Sequence, residues 1–100
     1  TAPGSEAVPK EVVLAARRGE EAAVLAWLDG GGRVDATFTR EGVSGFTLLM
    51  YATFYGHEQL AATLLQRGAS INLQNSVGST VLMWAAGMGH EWVVELLLQH

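Results

Sequence analysis

Apolar residues recur along the chain in pairs of short segments that carry helical spacing and are separated by a glycine. The stretch "GFTLLMYATFYGHE" at residues 45–58 precedes a second apolar-periodic segment, and "GSTVLMWAAGMGHE" at residues 78–91 precedes another. Gly56 and Gly89 interrupt the pairs where a left-handed turn ends a helix at little cost to glycine. The pattern predicts units of two short antiparallel helices and a turn. Because helices this short cannot bury an apolar face alone, we expect neighbouring units to stack into a shared core.

The two phrases belong to an internal repeat with a period of 33 residues. Residues 45–67 and 78–100 give 23 aligned positions, of which 11 are identical. A weaker copy, "VVLAARRGEEAAVLAWLDGGGRVD", lies upstream at a spacing of 37 residues, so four extra residues separate the first and second copies. They fall in "DATFTREGVSG", which is rich in Thr and Gly and predicts a lengthened loop.

Polar residues at the segment ends support the same reading. Thr47 and Thr80 precede apolar runs and are predicted to cap helices by accepting hydrogen bonds from free N–H groups. Glu58 and Glu91 begin the second helices, where a carboxylate interacts favourably with the helix dipole. The duplicated phrase is therefore first of all a structural building block.

These residues resemble the ankyrin repeat, whose phrase is Gly-x-Thr-Pro-Leu-His-x-Ala-Ala-x-x-Gly-His followed by a Leu-Leu pair and Gly-Ala-x-(Val/Ile)-Asn. The phrase occurs here as "GFTLLMYATFYGH…TLLQRGASIN" and "GSTVLMWAAGMGH…LLLQH". The resemblance covers residues 9–100 and implies an all-α solenoid of stacked helix-turn-helix units joined by hairpin-like loops. The implied units are residues 9–41, 42–74 and 75–100. The small residues, Pro3 and Gly4 of the preceding segment predict a flexible lead-in at residues 1–8.

The chain departs from the family phrase at several points. Met50 and Met83 replace a histidine whose side chain usually ties the turn together, which predicts a slightly weaker turn. The first unit lacks the Gly-x-Thr opening and is polar, as expected of an N-terminal cap. The third unit is incomplete and ends without a polar cap, so we expect further repeats or a partner to cover it.

The composition argues against nucleic-acid binding and against a membrane-spanning segment. Six Lys and Arg against ten Asp and Glu give a net charge of −4, without the basic patch that nucleic-acid binding requires. No apolar run approaches the roughly 20 residues that span a bilayer. The absence of cysteine fits a reducing intracellular compartment such as the cytoplasm or nucleus, and is also compatible with an organelle.

No catalytic or ligand-binding constellation is predicted. His57 and His90 recur in successive units without a third repeating ligand, and we interpret them as helix-turn residues that make local hydrogen bonds. The sequence has neither a nucleophile elbow nor a phosphate-binding loop. We therefore expect a non-enzyme without cofactor, metal or small-molecule substrate.

The resemblance implies that a protein partner binds the concave face, formed by loop tips and the exposed side of each first helix. Adjacent aromatics such as Phe54 and Tyr55 are typical interface anchors, although Phe54 and Phe38 could instead pack beneath the long loop. Met50 and Met83 are expected in the core. The predicted partner-binding residues are Arg17, Arg18, Phe38, Val43, Ser44, Phe46, Phe54, Tyr55, Ser76, Val77, Ser79 and Met88.

Two functions follow from this sequence. The first is a non-catalytic protein-interaction module, for which the acidic balance favours a partner with basic segments. The alternative is a structural subunit of a larger assembly, or a regulatory repeat segment of a multidomain enzyme or channel.

Overall fold

A computed structural model describes residues 7–89 and 91–99, except for the side chains of residues 85, 86 and 88. Within this part, the chain forms six helices in three antiparallel pairs, with one two-stranded sheet between the first and second pairs. The predicted all-α architecture of stacked helix-turn-helix units is confirmed. The elements are α1 (Lys10–Arg18), α2 (Glu21–Asp29), β1 (Thr37–Arg40), β2 (Val43–Thr47), α3 (Leu48–Phe54), α4 (Glu58–Gln66), α5 (Val81–Met88) and α6 (Glu91–Leu98).

Each helix pair turns at a glycine with positive φ. Gly19 and Gly56 have φ values of 75° and 77°, and the residues that follow them donate to carbonyls five residues back in α1 and α3. His57 N–H, for example, donates to the Ala52 carbonyl at 2.8 Å. These bonds satisfy carbonyls that the helix ends would otherwise leave unpaired.

The insertion between the first and second pairs forms a β-hairpin where the sequence analysis expected a lengthened loop. Strands β1 and β2 pair antiparallel, with Phe38 opposite Phe46 and a bulge nearer the tip. Glu41 and Gly42 form the tip with φ values of 51° and 80°, as a two-residue hairpin turn of type I′ requires. The alternation of exposed threonines with a buried phenylalanine along β1 allows one face to pack on the core.

The hairpin delivers two aromatic rings to the core. Phe38 and Phe46 are only 9% and 8% exposed, and their ring centroids are 5.8 Å apart. Phe38 also meets Tyr51 edge-on at 4.7 Å. Strand pairing turns both side chains inward against α3, so Phe38 and Phe46, which were predicted among the partner-binding residues, lie in the core.

The lead-in contributes to the same region. The Val8 N–H donates to the Thr37 carbonyl at 3.2 Å, and Ala7 bridges Thr37 in parallel. Val8 is buried in the core. Residues 7 and 8, which the sequence analysis assigned to a flexible segment, thus extend the hairpin by a short bridge.

Stacking of the helix pairs encloses α3 on both sides. Helix α3 packs on α1 and on α5, and its residues from Leu48 to Thr53 are all buried. Met50 is 1% exposed, as predicted. Met83, at the same position of the repeated phrase, is 57% exposed, so its predicted place in the core was wrong. Among the described residues, no further helix covers the equivalent side of α5.

The predicted threonine caps are present. Thr47 Oγ1 accepts from the Met50 N–H at 3.2 Å, and Thr80 Oγ1 accepts from the Met83 N–H at 3.3 Å. Met50 Sδ also accepts from the Thr47 N–H at 3.5 Å. A thioether, although a weak acceptor, thereby occupies the place of the family histidine, and the turn keeps a reciprocal pair of bonds.

Polar contacts join the first two helix pairs. His57 Nε2 lies 2.6 Å from the Arg17 carbonyl oxygen, so this histidine links two units instead of making the local bond that was expected. The Arg67 guanidinium contacts the Asp29 carboxylate at 2.8 Å, and the Ser70 N–H donates to Asp35 at 2.9 Å. These bonds set the register of one pair on the next.

Candidate protein-binding groove

Three adjoining clefts run across the face formed by α1, α3, α5 and the hairpin. The first, which we call the basic cleft, has a volume of about 240 Å³ and is lined by Lys10, Arg17 and Arg40 among others. The second, which we call the aromatic cleft, has a volume of about 270 Å³ and is lined by Phe54, Tyr55 and Trp84 among others. These two clefts share Arg40 and Tyr51. A third cleft of about 280 Å³ shares Phe54 and Trp84 with the aromatic cleft. Since neighbouring clefts share walls, we call the three together the groove.

The basic cleft is built on one face of α1. Lys10, Val13, Leu14 and Arg17 follow the spacing i, i+3, i+4, i+7, which places them on the same side of a helix. Thr39, Arg40 and Tyr51 form the opposite wall. The cleft therefore combines apolar walls with three cationic side chains.

Arg40 is held between Tyr51 of α3 and Tyr55, the residue that follows this helix. Its Nη1 donates to the Tyr51 hydroxyl and, at 3.0 Å, to the Tyr55 hydroxyl. These hydrogen bonds raise the pKa of Arg40 above its ordinary value, and the bond to Tyr51 has the larger effect. The guanidinium is therefore charged at any physiological pH. Because Tyr51 is buried, it gives the arginine a fixed support.

The aromatic cleft is lined by rings that meet edge to face. Tyr55 meets Tyr51 at 5.3 Å and Phe54 at 4.9 Å, and Phe54 meets Trp84 at 4.6 Å. Arg17 lies above the Tyr55 ring, 5.7 Å from its centroid. T-shaped pairs of this kind hold half-exposed rings in defined orientations. The aromatic surface is thus both accessible and ordered.

The loop that precedes α5 is hydrogen-bonded to the hairpin. The Ser76 N–H donates to the Ser44 carbonyl at 2.8 Å, and the Ser44 N–H donates to Ser76 Oγ at 3.0 Å. Asn75 is buried, and its Oδ1 accepts from the Val77 and Ser79 N–H groups. Gly45 permits this approach, since a Cβ there would lie 3.0 Å from the Asn75 Cα.

The predicted partner-binding residues fall into distinct environments. Phe54 and Tyr55 are half-buried and line the aromatic cleft, with Phe46 as its buried floor. The side chain of Met88 lies outside the described part of the chain, as do His90 and His100. The remaining residues line the groove (Arg17, Val43 and Ser79), are exposed elsewhere (Arg18, Ser44, Ser76 and Val77), or are buried (Phe38).

Several residues of the groove were not predicted from the sequence. Lys10 could have been found, because it shares a helix face with Arg17. Arg40 could not, since only the strand pairing brings it to Tyr51, 11 residues further along the chain. Met83, which was expected in the core, lines the third cleft together with Trp84.

Within residues 7–89 and 91–99, no group of three or more His, Asp or Glu side chains is arranged to hold a metal ion. None of the helices described is long and apolar enough to cross a membrane.

Comparison with known proteins identifies a protein family that the chain matches. The family model described as ankyrin repeats (3 copies) matches residues 12–100. No curated protein matches the chain. The match spans all six helices apart from the start of α1.

Proposed function

The chain belongs to the ankyrin-repeat family, and we propose that it is a non-catalytic module that binds a segment of a partner protein in the groove. Ankyrin repeats are generally protein–protein interaction modules and are typically non-catalytic. The proposal goes further in naming the groove as the surface of this chain that receives the partner.

The observation that carries the proposal is the ordered, half-exposed aromatic wall of the groove. Phe54, Tyr55 and Trp84 stand in edge-to-face contact along the aromatic cleft, with part of each ring exposed. Aromatic side chains in partly desolvated pockets are the usual anchors of protein interfaces, because they bury large areas with few rotatable bonds. Their mutual packing already fixes the rings, so binding loses little further side-chain entropy.

Affinity capture compares the wild-type chain with a Phe54→Ala, Tyr55→Ala double variant. Loss of two anchors is expected to reduce partner recovery by at least about tenfold, since anchor truncations commonly cost 2 kcal/mol or more of binding free energy. Gln66→Ala, an exposed change on α4, serves as the matched control and should leave recovery unchanged.

Folding is checked separately by circular dichroism and urea unfolding. Both aromatics also support Trp84 and Tyr51, so a destabilised double variant is compared at a temperature where it remains folded. Unchanged recovery by a folded double variant would remove the groove as the binding surface.

A second candidate, a structural subunit in a larger assembly, is favoured by the apolar end of the third helix pair. Leu82 and Leu98 are exposed there and flank a cleft of about 230 Å³ with Ile71 and Val94. If this end is normally covered, the isolated chain should self-associate and Leu82→Glu, Leu98→Glu should suppress that in sedimentation velocity. A monomeric wild-type chain would count against this candidate.

A further inference from the structure

We propose that the basic cleft receives the carboxylate side chains of an acidic peptide segment in the partner protein. The proposal rests on the proposed function and names the partner chemistry at the same groove. It reverses the expectation drawn from the net charge, which favoured a basic partner.

Charge is distributed unevenly over the molecule. Three of the six basic side chains, Lys10, Arg17 and Arg40, line the basic cleft, and among the described residues that line it none is Asp or Glu. Several carboxylates are engaged elsewhere, as Asp29 is with Arg67 and Asp35 with Ser70. A partner in the cleft interacts mainly with the charges that line it. Cleft walls of low polarity focus the electric field of these charges, and salt screens the charges on distant parts of the surface.

Two guanidinium groups converge on one ring. Arg40 bonds to the Tyr55 hydroxyl at 3.0 Å, while the Arg17 guanidinium carbon lies 5.7 Å from the Tyr55 ring centroid. The two cationic side chains therefore approach the same ring from different sides of the cleft, where one negative group could interact with both.

Arg40 is already arranged to receive that group. The two tyrosines occupy Nη1, whereas Nη2 donates to no acceptor among the described residues. Guanidinium N–H groups bind carboxylates through short, charge-assisted hydrogen bonds. Because the tyrosine contacts hold the side chain in place, little conformational entropy is lost on binding.

The neighbouring cleft favours a peptide over a small isolated anion. Beyond the shared Arg40 and Tyr51, the groove continues along Tyr55, Phe54 and Trp84. A carboxylate in the basic cleft would thus have an apolar neighbour on the aromatic wall. An acidic segment that also carries an apolar side chain matches both clefts.

Glu41 is the one carboxylate that competes for Arg40 among the residues described in the groove. Its Oε1 lies 4.0 Å from Arg40 Nε, and its side chain is largely exposed at the hairpin tip. An exposed pair at this distance is worth little, so an incoming carboxylate can displace it. Glu41→Gln is accordingly expected to strengthen binding of an acidic peptide by about twofold.

The test is selection from a displayed library of random peptides of about ten residues, which reach roughly 33 Å when extended. The full chain is used as wild type, as Arg40→Gln and as the Lys10→Gln, Arg17→Gln double variant. Arg33→Gln, which removes an exposed charge outside the groove, is the matched control. The wild type and the control should both enrich Asp and Glu, and the other two variants should not.

Affinities of selected peptides are then measured by fluorescence anisotropy. We expect Glu→Gln substitution in the peptide, or Arg40→Gln in the protein, to weaken binding by at least about tenfold, as loss of a charge-assisted bond predicts. Arg33→Gln should change it by less than about twofold. Selection without acidic enrichment, or equal losses in the control, would overturn the proposal. The Lys10, Arg17 variant leaves the Arg40–tyrosine bonds intact and so covers the case in which Arg40→Gln unfolds.

Two further outcomes separate related ideas. Inorganic phosphate that shifts the arginine side-chain NMR signals, while acidic peptides do not, would overturn the proposal in favour of a phosphoryl ligand. Apolar peptides that bind wild type but not the Phe54→Ala, Tyr55→Ala variant would overturn the acidic segment and leave the proposed function standing. If no peptide binds any variant and capture is also unaffected by the aromatic substitutions, both proposals are wrong.

Discussion

Met50 and Met83 occupy the same position of a repeated phrase and have opposite environments. Met50 is 1% exposed and Met83 is 57% exposed; the leucines that precede them, Leu49 and Leu82, are 1% and 53% exposed. Both methionines follow a threonine cap and lie in the first turn of their helices. The local structure is therefore the same, and the neighbours differ.

The difference lies in what stacks on each helix. Helix α3 has α1 on one side and α5 on the other, whereas α5 packs on α3 and α6. In a solenoid each unit contributes one half of an interface, and its successor supplies the other half. A repeat position therefore becomes core only when the next unit covers it. Without that cover the same side chain lies on the surface, as Met83 does where it lines the third cleft.

Truncating the two methionines should give the largest contrast. Met50→Ala removes a fully buried side chain and is expected to lower the free energy of unfolding by about 2–5 kcal/mol. Met83→Ala removes an exposed one and should change it by less than about 1 kcal/mol. Urea unfolding of both variants measures this, and similar losses would mean that the two environments do not differ.

Two helix-ending glycines give the next contrast. Gly19 and Gly89 have φ values of 75° and 72°, so alanine is strained at either by about 1–2 kcal/mol. At Gly19 a Cβ would also lie 2.6 Å from His57 Nδ1, whereas at Gly89 none of the described atoms lies within 4 Å. Gly19→Ala should therefore be more destabilising by at least about 1 kcal/mol. Thermal unfolding of the two single variants decides this, and adding His57→Ala should narrow the gap.

The threonine caps should differ by less. Thr47 is buried and shares a reciprocal pair of bonds with Met50, while Thr80 is only half-buried. We expect Thr47→Ala to cost about 1–2 kcal/mol and Thr80→Ala about 0.5–1 kcal/mol. Chemical denaturation followed by circular dichroism provides the values. A larger loss at Thr80 would show that burial does not strengthen the cap.

The ion pair between the first two helix pairs should matter least. Arg67 and Asp29 meet at 2.8 Å, but their side chains are 41% and 63% exposed. Exposed pairs contribute about 0–1 kcal/mol, so Arg67→Ala should shift the free energy of unfolding by no more than that. The same change in about 0.5 M salt should have a smaller effect, because salt screens the pair. A salt-independent loss would indicate packing by the arginine stem instead.

Much of the fold was predictable because it depends on local rules. Glycine at the helix ends, Thr47 and Thr80 as caps, and Glu58 and Glu91 at the second helices all act within one turn of the chain. The 33-residue period then implied stacking, and the burial of Met50 followed from it. These features need no knowledge of distant residues.

What the sequence did not reveal depends on long-range pairing. The register of β1 and β2 turns Phe38 and Phe46 inward and carries Arg40 to Tyr51. His57 reaches the Arg17 carbonyl 40 residues away, and Met83 is exposed for want of a covering helix among the described residues. Composition was also misleading for the groove, since a net charge of −4 conceals a basic cleft.

The rate of methionine oxidation tests most directly whether stacking assigns the repeat positions to core or surface. Methionines react with peroxide according to their exposure, and mass spectrometry resolves each site after digestion of the natively oxidised chain. We predict that Met83 is oxidised at least about tenfold faster than Met50, which reacts only when the fold opens. Equal rates under native conditions would contradict the account, because they would place both methionines in the same environment.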